Sequence, residues 1–572
     1  MQYLPDPALT LPEVFVLRAA REPDAEILRL VSFSGGEPVA QPYTNRQLLM
    51  LTQAAALALQ ENGLGAGDRA VLSVSNAAEF LSLFLGAQCL GAIPVPVPSS
   101  NDLPARGFAA RLGAVVRDAK PRLVVVEDAA AMEAQLPELP RTLAIRGVQE
   151  CCRPAGTSKA GAALKPLCHS NDVAFLQYTS GTTGVPKGVV VLHANVIANL
   201  RAIIDGANVG LADVTYSWLP LFHDMGLVAG LLLGIYLGIP TYVAHPRSFI
   251  NHPASWLRAV CTFGATFSFG PNFAFDILAQ KVPRSALDKL DLSRWRLAFD
   301  GAEVVDPRTV EAFLQRYAPY GFAKESFRPA YGLAECTLAA AFLRPGQMVQ
   351  VDYVDRAGVA ECGVAIPGSP EAPTSIGFTT VGTPVPGHRI RIVDVDAQRE
   401  LPERQLGEIV ISGPSVSPGY FAELAAGSMR CSELRTGDLG YIADGHLYVV
   451  DRLKDVLIVA GRKYSPANIE LLVGRIPGIR QGAVVAFSTR GDCGTEDVYV
   501  VAGLEAGSTQ MKNELLRMIR CTLREHVGLS PAEVFLVRPG MIPRTSSGKV
   551  MRSACIGMLR AGRFQREGLC TG

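Results

Sequence analysis

The stretch YTSGTTGVPKG, residues 178–188, holds three glycines, four serine or threonine residues and one lysine. Glycines without Cβ let successive backbone N–H groups turn inward, and the hydroxyl side chains add further donors. Lys187 adds a mobile positive charge. Taken alone, so short a stretch is more often a flexible surface loop. The pattern is also compatible with a loop that wraps phosphate oxygens, formed by Thr179, Ser180, Gly181, Thr182, Thr183, Gly184 and Lys187, and the motifs described below favour that interpretation.

The spacing of this loop differs from that of a Walker A motif. A Walker A loop has a second glycine and then a lysine five and six positions after the first glycine. Here Pro186 stands five positions after Gly181. The interpretation of the chain as a kinase or GTPase therefore loses its main support.

The flanking sequence predicts an α/β fold. Short apolar runs such as RAVLSV (69–74), RLVVVE (122–127) and VAFLQY (173–178) alternate with helical patterns. Continuous apolar strands between helices indicate a parallel sheet that is covered on both faces. After about residue 375, short strands divided by Gly, Pro and Asp predict a mostly antiparallel, barrel-like part. A last small domain is predicted to begin near Asp451.

Composition excludes several classes of protein. The 572 residues carry 54 basic and 53 acidic side chains without long like-charged blocks, so we expect no nucleic-acid partner. Twelve cysteines without a C-x-x-C spacing indicate reduced, packed thiols. The amino terminus lacks the pattern of a signal peptide, which makes the cytoplasm the expected location. The apolar run from Met225 to Ile239 is too short for a bilayer and contains glycines, so we expect a buried segment and no membrane span.

The loop resembles the phosphate loop of the adenylate-forming (ANL) superfamily, which includes acyl-CoA synthetases, luciferases, peptide adenylation domains and fatty acyl-AMP ligases. Further stretches resemble that superfamily in its own order: DGAEVV (300–305), YGLAE (331–335), LRTGDLGYI (434–442), DRLKDVLIVAGRKYSPANIE (451–470) and PRTSSGKVMR (543–552). The wording of SWLPLFHDMGLVAGLL (217–232), FGPNFAFDIL (269–278) and LSRWRLAFDGAE (292–303) resembles the fatty acyl-AMP ligase branch.

The resemblance implies a reaction in which a carboxylate attacks the α-phosphate of ATP and expels pyrophosphate. Because anions meet in this step, electrostatic stabilisation must dominate. Lys549 matches the family's adenylation lysine, and His223 matches a residue that positions the carboxylate and the α-phosphate. Thr179 and Glu335 match the positions that hold Mg²⁺.

The same resemblance implies the binding residues. Tyr331 would stack on adenine beside Gly332 and Leu333, and Asp438 and Arg452 would contact the ribose. The family usually has glycine where Asp451 precedes that arginine, and Lys454 matches its hinge. The adenine edge is expected at Gly301, Ala302 and Glu303, and the acyl substrate at Asp224, Met225, Gly270, Asn272 and Phe273.

An apolar slot for the acyl chain is expected around GATFSFGPNFAFDIL (264–278), although such stripes are usually plain core. Each buried CH₂ would contribute about 0.8 kcal/mol, so a fatty chain would dominate the affinity.

The stretch at about 350–378 bears on whether the acyl acceptor is a carrier protein or CoA. It resembles in position the insertion of fatty acyl-AMP ligases, and it could also be a plain loop extension. The branch commonly has Ser-Cys-Gly before the barrel, where this chain has Thr380, Val381 and Gly382.

We expect a large domain over 1–451, built of two doubly wound subdomains and a distorted β-barrel, and a mobile α+β domain over 452–572. The expected activity is adenylation of a medium- or long-chain fatty acid. The acyl group then passes to a holo acyl carrier protein or to a carrier domain of a polyketide or nonribosomal peptide synthase. An acyl-CoA synthetase and a non-catalytic binding homologue are the alternatives.

Overall fold

The computed structural model describes residues 4–102, 105–135, 143–152, 165–179, 186–425, 427, 433–459, 462–490, 496–505, 512–544, 550–564 and 570–571. Among these residues, no helix combines the length and the apolar character needed to cross a bilayer.

The strands of the first part of the chain are β1 (Glu26–Ser34), β2 (Glu37–Thr44), β3 (Arg69–Ser73), β4 (Ile93–Pro96), β5 (Leu123–Val126), β6 (Ala144–Gly147), β7 (Val173–Thr179), β8 (Lys187–Leu192), β9 (Thr215–Ser217), β10 (Thr241–Ala244), β11 (Phe267–Pro271), β12 (Leu297–Gly301), β13 (Phe327–Gly332) and β14 (Ala339–Phe342). They are followed by β15 (Val351–Asp355), β16 (Ser375–Thr379), β17 (Thr383–Pro384), β18 (Arg389–Val393), β19 (Gly407–Ser412), β20 (Glu433–Ala443) and β21 (His446–Arg452). The last strands are β22 (Leu457–Val459), β23 (Arg462–Tyr464), β24 (Ile479–Arg490), β25 (Glu496–Leu504), β26 (Glu533–Val537) and β27 (Cys570–Thr571).

The helices are α1 (Leu11–Arg21), α2 (Asn45–Glu61), α3 (Ala77–Cys89), α4 (Ala105–Ala119), α5 (Ala129–Gln135), α6 (Val148–Cys151), α7 (His193–Ala207), α8 (Leu233–Leu237), α9 (Pro246–Asn251), α10 (Ala254–Phe263), α11 (Asn272–Lys281), α12 (Pro307–Tyr317), α13 (Phe421–Ala425), α14 (Pro466–Gly474), α15 (Lys512–Val527) and α16 (Arg552–Arg560).

A sheet of nine described strands organises the first part of the chain, in the order β17-β14-β13-β12-β11-β9-β10-β1-β2. Its centre, from β13 to β1, is parallel. Strands β11 and β12 are buried along their whole length, as expected for a sheet covered on both faces. Because parallel strands end at one edge, the residues that follow β11, β12 and β13 lie side by side, where α/β sheets bind ligands.

A second parallel sheet has the order β4-β3-β5-β6. The expectation of parallel pairing does not hold for β7, which pairs antiparallel with β8. Only residues 180–186 separate these two strands, a connection long enough for a hairpin and too short for a parallel crossover. The phosphate-loop stretch therefore connects the two strands of a hairpin.

Strands β18 to β21 form the antiparallel sheet that the sequence predicts for the barrel-like part. The stretch expected to be an insertion contains the antiparallel pair β15–β16, with a π-helix over Gly358–Cys362 between the two strands.

The chain after β21 builds its own sheet, β24-β25-β26-β27, with hydrophobic clusters that contain only its own residues. The core of the first part is rich in aromatic residues: Trp256 packs against Trp295 and Phe275 with ring centroids 5.5 and 5.1 Å apart. The domain division at residues 451 and 452 stays a prediction.

Candidate active site

A cleft of about 2010 Å³ opens at the carboxyl edge of the large sheet. It is bordered by β7 and β8, by the ends of β11, β12 and β13, by β20 and β21, and by the chain after β21. It brings together most described residues that the sequence predicts for the site: Thr179, Lys187, His223, Asp224, Met225, Asn272, Phe273, Gly301, Ala302, Glu303, Tyr331, Gly332, Leu333, Glu335, Asp438, Arg452 and Lys454.

Six predicted residues lie outside the described part of the chain, namely Ser180, Gly181, Thr182, Thr183, Gly184 and Lys549. The base of the phosphate hairpin is described, and there Thr179 on β7 is the register partner of Lys187 on β8. The Lys187 ammonium lies over the ring of Tyr420, 4.9 Å from its centroid. The roles of the six residues stay predictions.

Glu335 sits on a tight turn after β13. A Cβ on Gly332 would lie 1.9 Å from the Leu338 carbonyl oxygen, so only glycine allows this approach. Thr337 adopts φ 66° and ψ −55°, and Leu338 N–H donates to the Cys336 carbonyl at 2.7 Å, as in a strained γ-turn. Such strain is characteristic of functional sites.

Asp438 joins two predicted nucleoside contacts. The Tyr331 hydroxyl donates to Asp438 Oδ2 at 2.7 Å, and Arg452 Nε donates to Oδ1 at 3.0 Å. Burial, reinforced by the Asp438 carboxylate, raises the pKa of Tyr331 well above its usual value, so the phenol keeps its proton. Each carboxylate oxygen retains acceptor capacity, which suits ribose hydroxyls.

Arg452 stays charged in this setting. Burial acts to lower its pKa, but the carboxylates of Asp438 and Asp455 outweigh burial, and the pKa is raised. The site therefore keeps a fixed cation beside the expected ribose.

The adenine-edge stretch is tied to α11. Ala302 adopts a positive φ of 67°, which is rare for a residue with a Cβ. Glu303 Oε2 accepts from the N–H of Phe273 at 3.1 Å. Asn272 Nδ2 donates to Asp300 Oδ2 at 2.7 Å, and burial raises the pKa of Asp300 well above normal. Asp300, which sequence reasoning missed, thus fixes Asn272.

His223 lies at the entrance to a π-helix, Met225–Leu232, that forms part of the buried apolar run. Asp224 Oδ1 lies 2.7 Å from His223 Nδ1, and the Met225 N–H donates to the same nitrogen at 3.3 Å. Asp224 Oδ1 also accepts from Met225 N–H at 2.7 Å. A Cβ on Gly226 would lie 2.1 Å from the Pro220 carbonyl, so glycine is required here.

Part of the cleft lining is apolar, and we call this part the apolar lobe. It is lined by the buried side chains of Ile203, Ala229, Phe267, Phe269, Phe299 and Phe342. Gly270 does not reach it, since a Cβ on Gly270 would lie 2.7 Å from the Trp256 ring, behind the lining. Sequence reasoning found the aromatic stretch of β11 and missed Ile203 and Phe342, which carry no distinctive motif.

Asp451, the departure from the family pattern, is buried where the chain leaves the barrel. Burial raises its pKa, while a hydrogen bond from the Ser465 hydroxyl and one from Arg452 N–H at 2.8 Å act to lower it. Nearby, Arg552 donates to both carboxylate oxygens of Glu470 at 2.8 Å. Lys454 lines the cleft beside this network, and its hinge role stays a prediction.

The AMP-binding enzyme family matches residues 15–421, and the chain belongs to this family. It is 32% identical over 541 residues to the medium-chain-fatty-acid–[acyl-carrier-protein] ligase JamA of Moorena producens, covering 91% of this chain and 90% of the relative. It is 31% identical over 592 residues to the long-chain-fatty-acid–AMP ligase FadD23 of Mycobacterium tuberculosis, covering 98% of each.

Solved structures give the same result. A structure from a study of fatty acyl-adenylate ligases from E. coli and L. pneumophila has a TM-score of 0.85 and 30% identity and covers 96% of each chain. The L. pneumophila fatty acyl-adenylate ligase in complex with acyl adenylate and pyrophosphate has a TM-score of 0.73 and 28% identity, covering 98% of this chain and 97% of that chain. The predicted superfamily, its fatty acyl-AMP ligase branch and the predicted fold class are confirmed.

Proposed function

We propose that this protein uses ATP to convert a medium- or long-chain fatty acid to an acyl-adenylate, releasing pyrophosphate. It then transfers the acyl group to the phosphopantetheine thiol of an acyl carrier protein or a carrier domain. The observation that carries the proposal is the continuity of one cleft from the Tyr331–Asp438–Arg452 group to the apolar lobe. The names of JamA and FadD23 support it. The proposed compartment is the cytoplasm.

The donor set fits Mg²⁺, which prefers hard oxygen ligands and usually keeps substrate phosphates and waters. The Glu335 carboxylate and the Thr179 hydroxyl would hold it. Within the described ranges, no group of three or more His, Cys, Asp or Glu side chains forms a metal cage. When bound, the ion offsets triphosphate charge.

The chain's own residues position the reactants. Tyr331, Asp438 and Arg452 hold the nucleoside, while the apolar lobe takes the alkyl chain and places its carboxylate near His223. The carboxylate oxygen forms a bond to the α-phosphorus, and the bond to the pyrophosphate oxygen breaks. We assign to Lys549 the stabilisation of the charge that develops on the α-phosphate oxygens.

The transfer step needs an acceptor thiol. Its thiolate would attack the acyl carbon, and the bond to AMP would break. The stretch expected to be an insertion contacts the carboxy-terminal part, where Arg462 Nη2 lies 3.3 Å from Glu361 Oε1. Both side chains are about half exposed, so this pair alone would stabilise the contact weakly.

Incubation with ATP, Mg²⁺, fatty acid and either CoA or a holo-carrier protein tests the acceptor. We expect acyl-carrier to form and little acyl-CoA, with the apo-carrier as a control that lacks the thiol. Efficient acyl-CoA formation would instead identify an acyl-CoA synthetase. Absence of fatty-acid-dependent pyrophosphate release would identify a non-catalytic homologue.

A further inference from the structure

Tyr420 contacts two predicted site residues of opposite charge. Its hydroxyl donates to Glu335 Oε1 at 2.6 Å, and its ring face lies under the Lys187 ammonium, 4.9 Å from the centroid. The first contact is a short, charge-assisted hydrogen bond, and the second is a cation–π contact. One side chain therefore lies between the expected metal ligand and the expected phosphate ligand.

The backbone around Tyr420 is hydrogen-bonded both to β8, which carries Lys187, and to the turn that carries Glu335. Tyr420 forms a β-bridge with Val189, two residues after Lys187, and the Val190 N–H donates to the Gly419 carbonyl at 3.0 Å. The Ser417 N–H donates to the Glu335 carbonyl at 2.9 Å, and the Ser417 hydroxyl donates to the Val190 carbonyl at 2.6 Å. The segment 417–420 thus holds β8 and the Glu335 turn in one register.

The same segment is anchored at its start. Asn199 Nδ2 on α7 donates to the Ser415 hydroxyl at 2.9 Å, and the Thr337 hydroxyl donates to the Ser415 carbonyl at 2.8 Å. Tyr420 therefore reaches the cleft from a segment that hydrogen bonds tie to α7, to β8 and to the Glu335 turn.

An aromatic ring between Lys187 and Glu335 has an electrostatic consequence. The described residues contain no ion pair between these two side chains, although both line the same cleft. A direct pair would neutralise the cation needed by phosphate and occupy the carboxylate needed by the metal ion. The hydroxyl satisfies one carboxylate oxygen and leaves acceptor capacity on the group.

We propose that Tyr420 is a positioning residue that keeps Glu335 and Lys187 apart and oriented, so that one is ready for Mg²⁺ and the other for phosphate. This inference rests on the proposed function of the same cleft. Partners that orient metal ligands typically contribute 10- to 100-fold to metal affinity. The cation–π contact contributes a smaller, few-fold effect.

The test compares Tyr420→Phe, which removes only the hydroxyl, with Tyr420→Leu, which also removes the ring face. Binding of ATP is measured by calorimetry without fatty acid, in EDTA and over a series of MgCl₂ concentrations. We expect Tyr420→Phe to raise the Mg²⁺ concentration for half-maximal ATP binding about 10-fold while ATP affinity in EDTA is unchanged. Tyr420→Leu should also weaken ATP binding in EDTA about 3-fold.

Tyr441→Phe is the matched control, because the Tyr441 hydroxyl donates to the Asp352 carboxylate at 2.8 Å and neither of these two residues lines the cleft. It should change only the melting temperature. An unchanged Mg²⁺ dependence in Tyr420→Phe, beside normal binding by the wild type, would overturn this inference alone. A wild-type protein that does not bind ATP with Mg²⁺ would overturn the proposed function and this inference together.

Discussion

The two ends of the cleft are built differently. At the nucleotide end, polar side chains hold one another at fixed distances, as in the Tyr331–Asp438–Arg452 group and the Tyr420–Glu335 bond. The apolar lobe contains buried aliphatic and aromatic side chains, such as Ile203 and Phe342, without such partners. Hydrogen bonds to charged groups depend steeply on geometry, whereas apolar burial depends on area. A single substitution should therefore act sharply at the first end and gradually at the second.

The largest effect is expected from Lys549→Ala. Removing a charge that stabilises the transition state should lower fatty-acid-dependent pyrophosphate release at least ~100-fold. Steady-state release at saturating ATP measures it, with folding checked by thermal melting. Unchanged release would remove Lys549 from the mechanism.

Asp438→Asn should have the next largest effect. An amide replaces one of the two acceptor oxygens with an NH₂ group and removes the negative charge that faces Arg452. We expect the KM for ATP to rise about 10- to 100-fold. Asp444→Asn is the control, since the Asp444 side chain is 86% exposed on the connection between β20 and β21. Equal KM values for both variants would contradict the assigned nucleoside contact.

Two substitutions in the apolar lobe should shift the preferred acyl chain length gradually and in opposite directions. Ala229→Leu fills space in the lobe, so affinity for the longest acyl chains should fall about 4-fold per displaced CH₂, the equivalent of about 0.8 kcal/mol. Phe342→Leu enlarges the lobe and should favour longer chains. The kcat/KM for pyrophosphate release across a series of saturated fatty acids measures both. Shifts in the same direction, or a change in the KM for ATP, would argue against the lobe as the acyl site.

The smallest effect on catalysis at neutral pH is expected from the substitution His193→Gln. His193 is the first residue of α7, the helix that lines the lobe through Ile203. Burial lowers the pKa of His193 to about 4, so the folded state holds it neutral. As pH falls below 6.5 the unfolded chain gains a proton that the folded chain does not, and stability decreases until about pH 4.

Denaturant unfolding at pH 7 and pH 5 should show a loss of about 2 kcal/mol from this group. His193→Gln should show a correspondingly smaller loss. Identical losses in the two proteins would show that other groups carry the acid sensitivity.

The contrast between the two ends of the cleft also explains which parts of the site could be predicted from the sequence. Tyr331, Asp438 and Arg452 stand in sequence motifs whose residue types suit nucleotide binding. Their meeting in one cleft could therefore be predicted from the sequence. Tyr420 and Phe342 act through tertiary contacts that no local pattern records, and the DGAEVV stretch gives no sign that Asp300 accepts a hydrogen bond from Asn272. The pairing of β7 was predicted wrongly, because an apolar run looks the same in a parallel sheet and in a hairpin.

The central claim, that one cleft binds nucleotide and acyl chain together, is tested most directly by calorimetry with non-hydrolysable acyl-sulfamoyl-adenosines of increasing chain length. The account predicts one site, with affinity that rises about 4-fold per CH₂ until the lobe is filled and that falls in Asp438→Asn for every chain length. Affinity that is independent of chain length, or AMP and fatty acid binding at two sites without coupling, would contradict it.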